Sequence, residues 1–228
     1  MYSSDMGLLM TSRADSSLMN KLVTREQLIL IPTASTGWTT AVVGSGSVGS
    51  VAVNHFSPNT GITTGSQALI RTVVHGLSRG STNHFRVDWT KKFLWTFSVT
   101  FVTANANVIA HVQLTQGTTH TDLAGRGLGI KFTNTAVTAE SYDTALGSET
   151  FFTATASQTD RITIVNDPVA VATYFYRNGV LIVTQTTATK VPAAEGTGNT
   201  SFLVSIDNGA GTTDAQIRIG QIVIVQEI

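Results

Sequence analysis

The chain has 228 residues and no cysteine, which removes thiol nucleophiles, disulfides and cysteine-ligated zinc at once. Charge is scarce as well. Only 12% of residues are ionic, and 14 basic residues balance 14 acidic ones. No net field therefore points to nucleic acid or an anionic membrane, and the densest basic feature is the pair Lys91–Lys92. No apolar run approaches the ~20 residues that would span a bilayer. Residues 1–20 include Asp5 and Asp15 and lack the basic-then-apolar order of a signal peptide. The expectation is a chain that uses neither a membrane nor a nucleic acid.

Uncharged polar residues fill the gap. Threonine alone makes up about one residue in six, and its branched Cβ suits a pleated strand. Residues 1–27 differ from the rest, because all four methionines lie there. Asp15 or Ser16 could cap a short helix running to about Leu22, with Leu18, Met19, Leu22 and Val23 as its apolar stripe. We read residues 1–27 as a docking arm, with Met6, Leu8, Leu9, Met10, Leu18, Met19 and Leu22 as its partner-binding residues. The stripe could dock on its own domain or on another chain, and both readings stay open.

From residue 28 to the end the pattern is strands and turns, which we read as a single domain. The clearest strand spans 93–103, where Phe93, Trp95, Phe97, Val99 and Phe101 share one face and Thr96, Ser98 and Thr100 the other. Further strands are expected near 28–31, 38–43, 48–54, 67–74, 108–114, 127–134, 149–154, 161–166, 169–176, 180–186, 202–207 and 216–226. Asn178-Gly179 between two of them is a strong hairpin signal, since both residues tolerate positive φ. Strands do not alternate with helices as βαβ units require. The expected fold is all-β, an antiparallel sandwich.

The hairpin over 169–183, with Tyr176-Arg177-Asn178-Gly179 at its turn, resembles one found in concanavalin A-like lectin/glucanase domains. The aromatic strand 93–101, the Gly-rich run 125–132 and the closing strand 217–225 resemble that family in the same order. The resemblance covers about residues 85–228 and implies a lectin-like jelly roll. Domains of this kind occur in bacteriophage decoration, head-fibre and tail-fibre proteins. The resemblance therefore also implies a virion protein whose partners are other virion proteins and copies of itself.

Glucanases of this fold need two carboxylates flanking the scissile bond. Here the acids are scattered. Glu140 and Asp143 read as part of a Tyr/Ser/Thr-rich loop, and Glu149, Asp160 and Asp167 as strand ends. His120 and Asp122 would share one face of an extended segment, but a metal site needs a further ligand. His111 reads as an ordinary strand histidine. Asp207-Asn208-Gly209 and Asn166-Asp167-Pro168 read as turns in which Asx side chains cap the backbone. The expectation is no enzyme, no cofactor and no metal. The function expected is a non-enzymatic virion subunit, made in the host cytoplasm without a signal peptide. The alternative is a glycan-binding adhesin for a host surface, using Trp89, Tyr174 and Tyr176. A glycan-cleaving enzyme ranks third.

Overall fold

In the computed structural model, residues 25–30, 38–51, 55–72, 87–103, 107–116, 122–194 and 200–227 are described. The central strand is the one with the clearest alternation, β6 (Phe93–Thr103). Its aromatic face turns inward and enters the main core. On one side it pairs with β11 (Thr159–Asp167), which continues to β12 (Ala172–Arg177) and the edge strand β13 (Val180–Gln185). On the other side lies the last strand, β15 (Gln216–Glu227). The far edge of β15 is shared. Its first half meets β4 (His55–Asn59), which pairs with β3 (Ser47–Val51). Its second half meets β1 (Arg25–Leu30), with Arg25 opposite Glu227. A register shift between Ile219 and Ile222 separates the halves.

The second sheet has seven strands. In order they are β10 (Leu146–Thr153), β9 (Ala136–Tyr142), β8 (Gly127–Thr133), β7 (Ile109–Thr115), β14 (Ser201–Asp207), β5 (Gln67–Thr72) and β2 (Trp38–Val43). Every pairing in both sheets is antiparallel. Among the described residues there is no helix. The fold is the expected all-β sandwich.

Aromatic contacts cross the gap between the sheets. Trp95 meets Phe202 edge-on with centroids 5.8 Å apart, and Phe101 stacks on Phe132 at 5.3 Å. Phe151 meets Phe175 at 6.0 Å. Each fully buried large side chain stabilises the fold by roughly 1.5–3 kcal/mol through area removed from water. The Asn178-Gly179 turn forms as expected, with φ of 50° and 81°. Beside it Arg177 donates two hydrogen bonds to Asp160, at 2.9 and 3.1 Å, and lies 4.2 Å over the Phe152 ring. That ion pair fixes the end of the hairpin against β11.

Several expectations need correction. Residues 136–142 form β9, and residues 55–59 form β4 despite Pro58; neither strand was expected. The strand expected from 169 begins at Ala172, because 168–171 turn and Val171 takes a φ of 51°. The first strand starts at Arg25 rather than at 28. The expected helix and the arm residues Met6, Leu8, Leu9, Met10, Leu18, Met19 and Leu22 lie outside the described residues.

Phe97→Ala should cost about 3–5 kcal/mol, since it opens a cavity in the core. Ile182→Ala on the edge strand should change stability by no more than about 0.5 kcal/mol. Urea unfolding of the two variants checks this ordering.

Candidate functional site

The outer face of the seven-stranded sheet carries the most unusual chemistry. Register builds it in two rows. Ser205, His111, Lys131 and Thr138 stand side by side across β14, β7, β8 and β9. The next row is Leu203, Gln113, Gly129, Glu140 and Ser148. Gly129 separates Gln113 from Glu140. A Cβ there would come within 2.9 Å of Gln113 Cγ, so the missing side chain lets Gln113 hydrogen-bond Glu140 across the strand.

The residues that lead into β8, from Asp122 onward, lie against this face. Leu123 is buried and packs onto Gly127, where a Cβ would meet its Cδ2 at 2.9 Å. One residue earlier, Asp122 reaches the first row. It accepts a hydrogen bond from Lys131 Nζ at 2.6 Å and faces His111 Nε2 at 3.2 Å. The other ring nitrogen of His111 lies 3.5 Å from Ser205 Oγ.

Beneath Asp122 sits Glu140, only 1% exposed. Its Oε2 has no hydrogen-bond partner. Burial pushes its carboxyl up to about 7, the nearby Asp122 charge adds to the rise, and Lys131 and Gln113 oppose it. Burial also raises Asp122, but the hydrogen bonds from Lys131 and His111 outweigh that effect and hold it below its ordinary value. One donor atom each from His111, Asp122 and Glu140 lies within 4.8 Å of the other two. His120 and Asp122, a pair too small for a metal site in the sequence, are not what the fold gathers here. Asp122 keeps its part, His111 and Glu140 join it from strands, and His120 lies outside the described residues.

Glu140 is therefore not a loop residue, as its Tyr/Ser/Thr neighbours suggested. It is a buried strand residue. Glu149 lies opposite Ala139 and so belongs to the other face of the sheet. Asp143 is engaged by Arg126 at 2.5 Å. Asp160 is held by Arg177, and Asp167 by Lys92 and by the backbone N–H of Ala170. Asp207 caps its own turn, accepting a 2.6 Å bond from Gly209 N–H. Among the described residues, the carboxylates that face each other at the site are Asp122 and Glu140, and Glu140 is buried.

The aromatic residues expected to meet glycan do not form a surface. Trp89 is fully buried, packs edge-on against Phe93 at 5.3 Å and donates its indole N–H to Thr200 at 3.0 Å. It cannot stack on a sugar from there. Tyr176 is buried with Leu94, Val165, Val223 and Val225 on the outer face of the eight-stranded sheet, and half-buried Tyr174 packs against them.

No protein-family model and no curated protein sequence matches the chain. Solved structures do. A protein of unknown function from Shewanella oneidensis MR-1 aligns with a TM-score of 0.58 at 9% identity, covering 96% of this chain and 95% of that one. Peanut lectin, solved with a nine-residue peptide, aligns at 0.55 and 11% identity over 89% of this chain and 97% of the lectin. A sialidase aligns at 0.54 and 9% identity over 83% of this chain and 17% of the enzyme. These likenesses are of fold, and they make the protein a lectin-like β-sandwich.

Glu140 gives this site a measurable signature. The unfolded chain ionises it near the ordinary value of 4.5, and the folded chain only near 7. Its contribution is fully favourable below 4.5 and falls as pH rises through 7, by about 3 kcal/mol in all. Glu140→Gln should abolish that fall, so that the variant gains stability over the wild type at pH 8 but not at pH 5. Urea unfolding at both pH values, in buffer containing EDTA, checks this.

Proposed function

We propose that the chain is a non-enzymatic binding and assembly subunit of a virion, of the bacteriophage decoration or fibre type, working by surface burial. The observation that carries the assembly reading is the edge strand β13. Val180, Leu181 and Ile182 follow one another there and are 61%, 46% and 45% exposed. A monomer seldom leaves three consecutive large apolar residues on an edge, because such a strand invites another chain. A bulge beside them breaks the ladder, with Phe175 opposite Val183 but Tyr176 opposite Leu181. Association would therefore rest on side-chain burial rather than on simple strand addition. A neutral surface with few ions suits contact between identical copies. Virion location and virion partners rest on the resemblance to phage proteins alone.

Glycan recognition is the second reading, favoured by the likeness to a lectin over nearly its whole length. With Trp89 buried, the half-exposed Asp122 and its partner Lys131 are the polar groups we assign to a glycan contact. A glycan array decides this reading: saturable binding lost in Asp122→Asn supports it, and a flat array removes it.

Val180→Lys combined with Ile182→Lys should leave the sandwich folded while converting an oligomer to a monomer, as read by light scattering. The same variant should be absent from purified particles. A monomeric wild-type protein, or a double variant that still assembles, refutes the assembly reading.

A further inference from the structure

We propose that His111, Asp122 and Glu140 form a binding site for a divalent transition-metal ion, of the zinc or manganese class. The three donors converge from separate parts of the fold, His111 on β7, Glu140 on β9 and Asp122 on the connection after β7, to within 4.8 Å of one another. Ligands bound to one such ion at about 2.0–2.2 Å stand about 3–3.5 Å apart when adjacent. His111 Nε2 and Asp122 Oδ1 already stand at 3.2 Å. Glu140 offers the third donor within the same 4.8 Å.

Glu140 supplies the independent observation. Its Oε2 is buried and meets no donor, and an oxygen in that condition costs stability unless something satisfies it. A cation held by the Glu140 carboxylate together with His111 and Asp122 would supply the missing partner. Ser205 fits the same role. With Nε2 on the ion, the imidazole proton moves to Nδ1, and the Ser205 hydroxyl 3.5 Å away accepts it as the outer partner that orients a metal-bound histidine. Gln113 orients Glu140 from the other side.

The donor set chooses the ion class. One imidazole with two carboxylates suits zinc or manganese, whereas calcium and magnesium prefer oxygen donors throughout. Asp122 is 50% exposed and leaves a way in from solvent. Lys131 works against the ion, because its ammonium already sits on Asp122 at 2.6 Å. Removing that charge should therefore strengthen the site. A surface histidine binding metal adventitiously would not respond in this way.

The test is calorimetric titration of chelator-stripped protein with Zn²⁺ and with Mn²⁺, with circular dichroism confirming the fold of each variant. One ion should bind per chain. Glu140→Gln, which preserves shape, should weaken binding at least about tenfold, and Lys131→Gln should tighten it several-fold. Mn²⁺ should broaden the ring protons of His111 before those of the other histidines. Absence of binding, equal affinity in Glu140→Gln, or uniform broadening of all histidines would overturn the proposal. Because it concerns this face alone, it stands or falls separately from assembly through β13.

Discussion

The sandwich depends on the aromatic contacts that cross between its sheets. Trp95 against Phe202, Phe101 against Phe132 and Phe151 against Phe175 tie β6 and β12 of one sheet to β14, β8 and β10 of the other. They set the spacing at which all the smaller aliphatic residues can interdigitate. With no disulfide to staple the layers, this packing must supply nearly all of the cohesion. The inner faces are accordingly mostly apolar, with the Arg177–Asp160 pair as a charged exception beside Val99, and most polar chemistry is displaced to the outer ones.

That displacement makes the outer face of the seven-stranded sheet unusual. An outer face normally meets water, yet His111, Gln113, Glu140 and Ser205 are all buried there. Polar groups so placed must satisfy one another, and most do. Glu140 Oε2 is the exception. One short connection, with Leu123 as its anchor and Asp122 as its reach, turns part of a surface into an interior. The ionic pairs elsewhere, Arg177–Asp160 and Arg126–Asp143, are conventional by comparison and hold turns in place.

Much of the architecture was legible from the residues, because period-two alternation in 93–103 and the Asn178-Gly179 turn are local signals. Strand β9 was not. Its inward positions include small Ala139 and its outward ones are Thr138, Glu140 and Tyr142, so the alternation lacks hydrophobic contrast. Strand β4 was hidden by Pro58, although proline is tolerated where a strand has irregular pairing. The cluster itself was hidden for another reason. His111, Asp122 and Glu140 are separated by 11 and 18 positions, and only cross-strand register and the return of a loop bring them together. The burial of Trp89 and of Glu140 arises from distant segments and leaves no trace in neighbouring residues.

The position of β15 bears on how the chain can come into being. Among the described residues, β1 pairs only with β15, and the β3–β4 hairpin joins its sheet through β15 alone. β1, β3 and β4 therefore attach to a slot that β15, which follows them in the chain, creates. While the polypeptide is still emerging from the ribosome, those strands have edges and no sheet to join, and the open flank of β6 must wait for the same segment. Such long-range closure is slow, and it makes β1, β3 and β4 become stable together with β15.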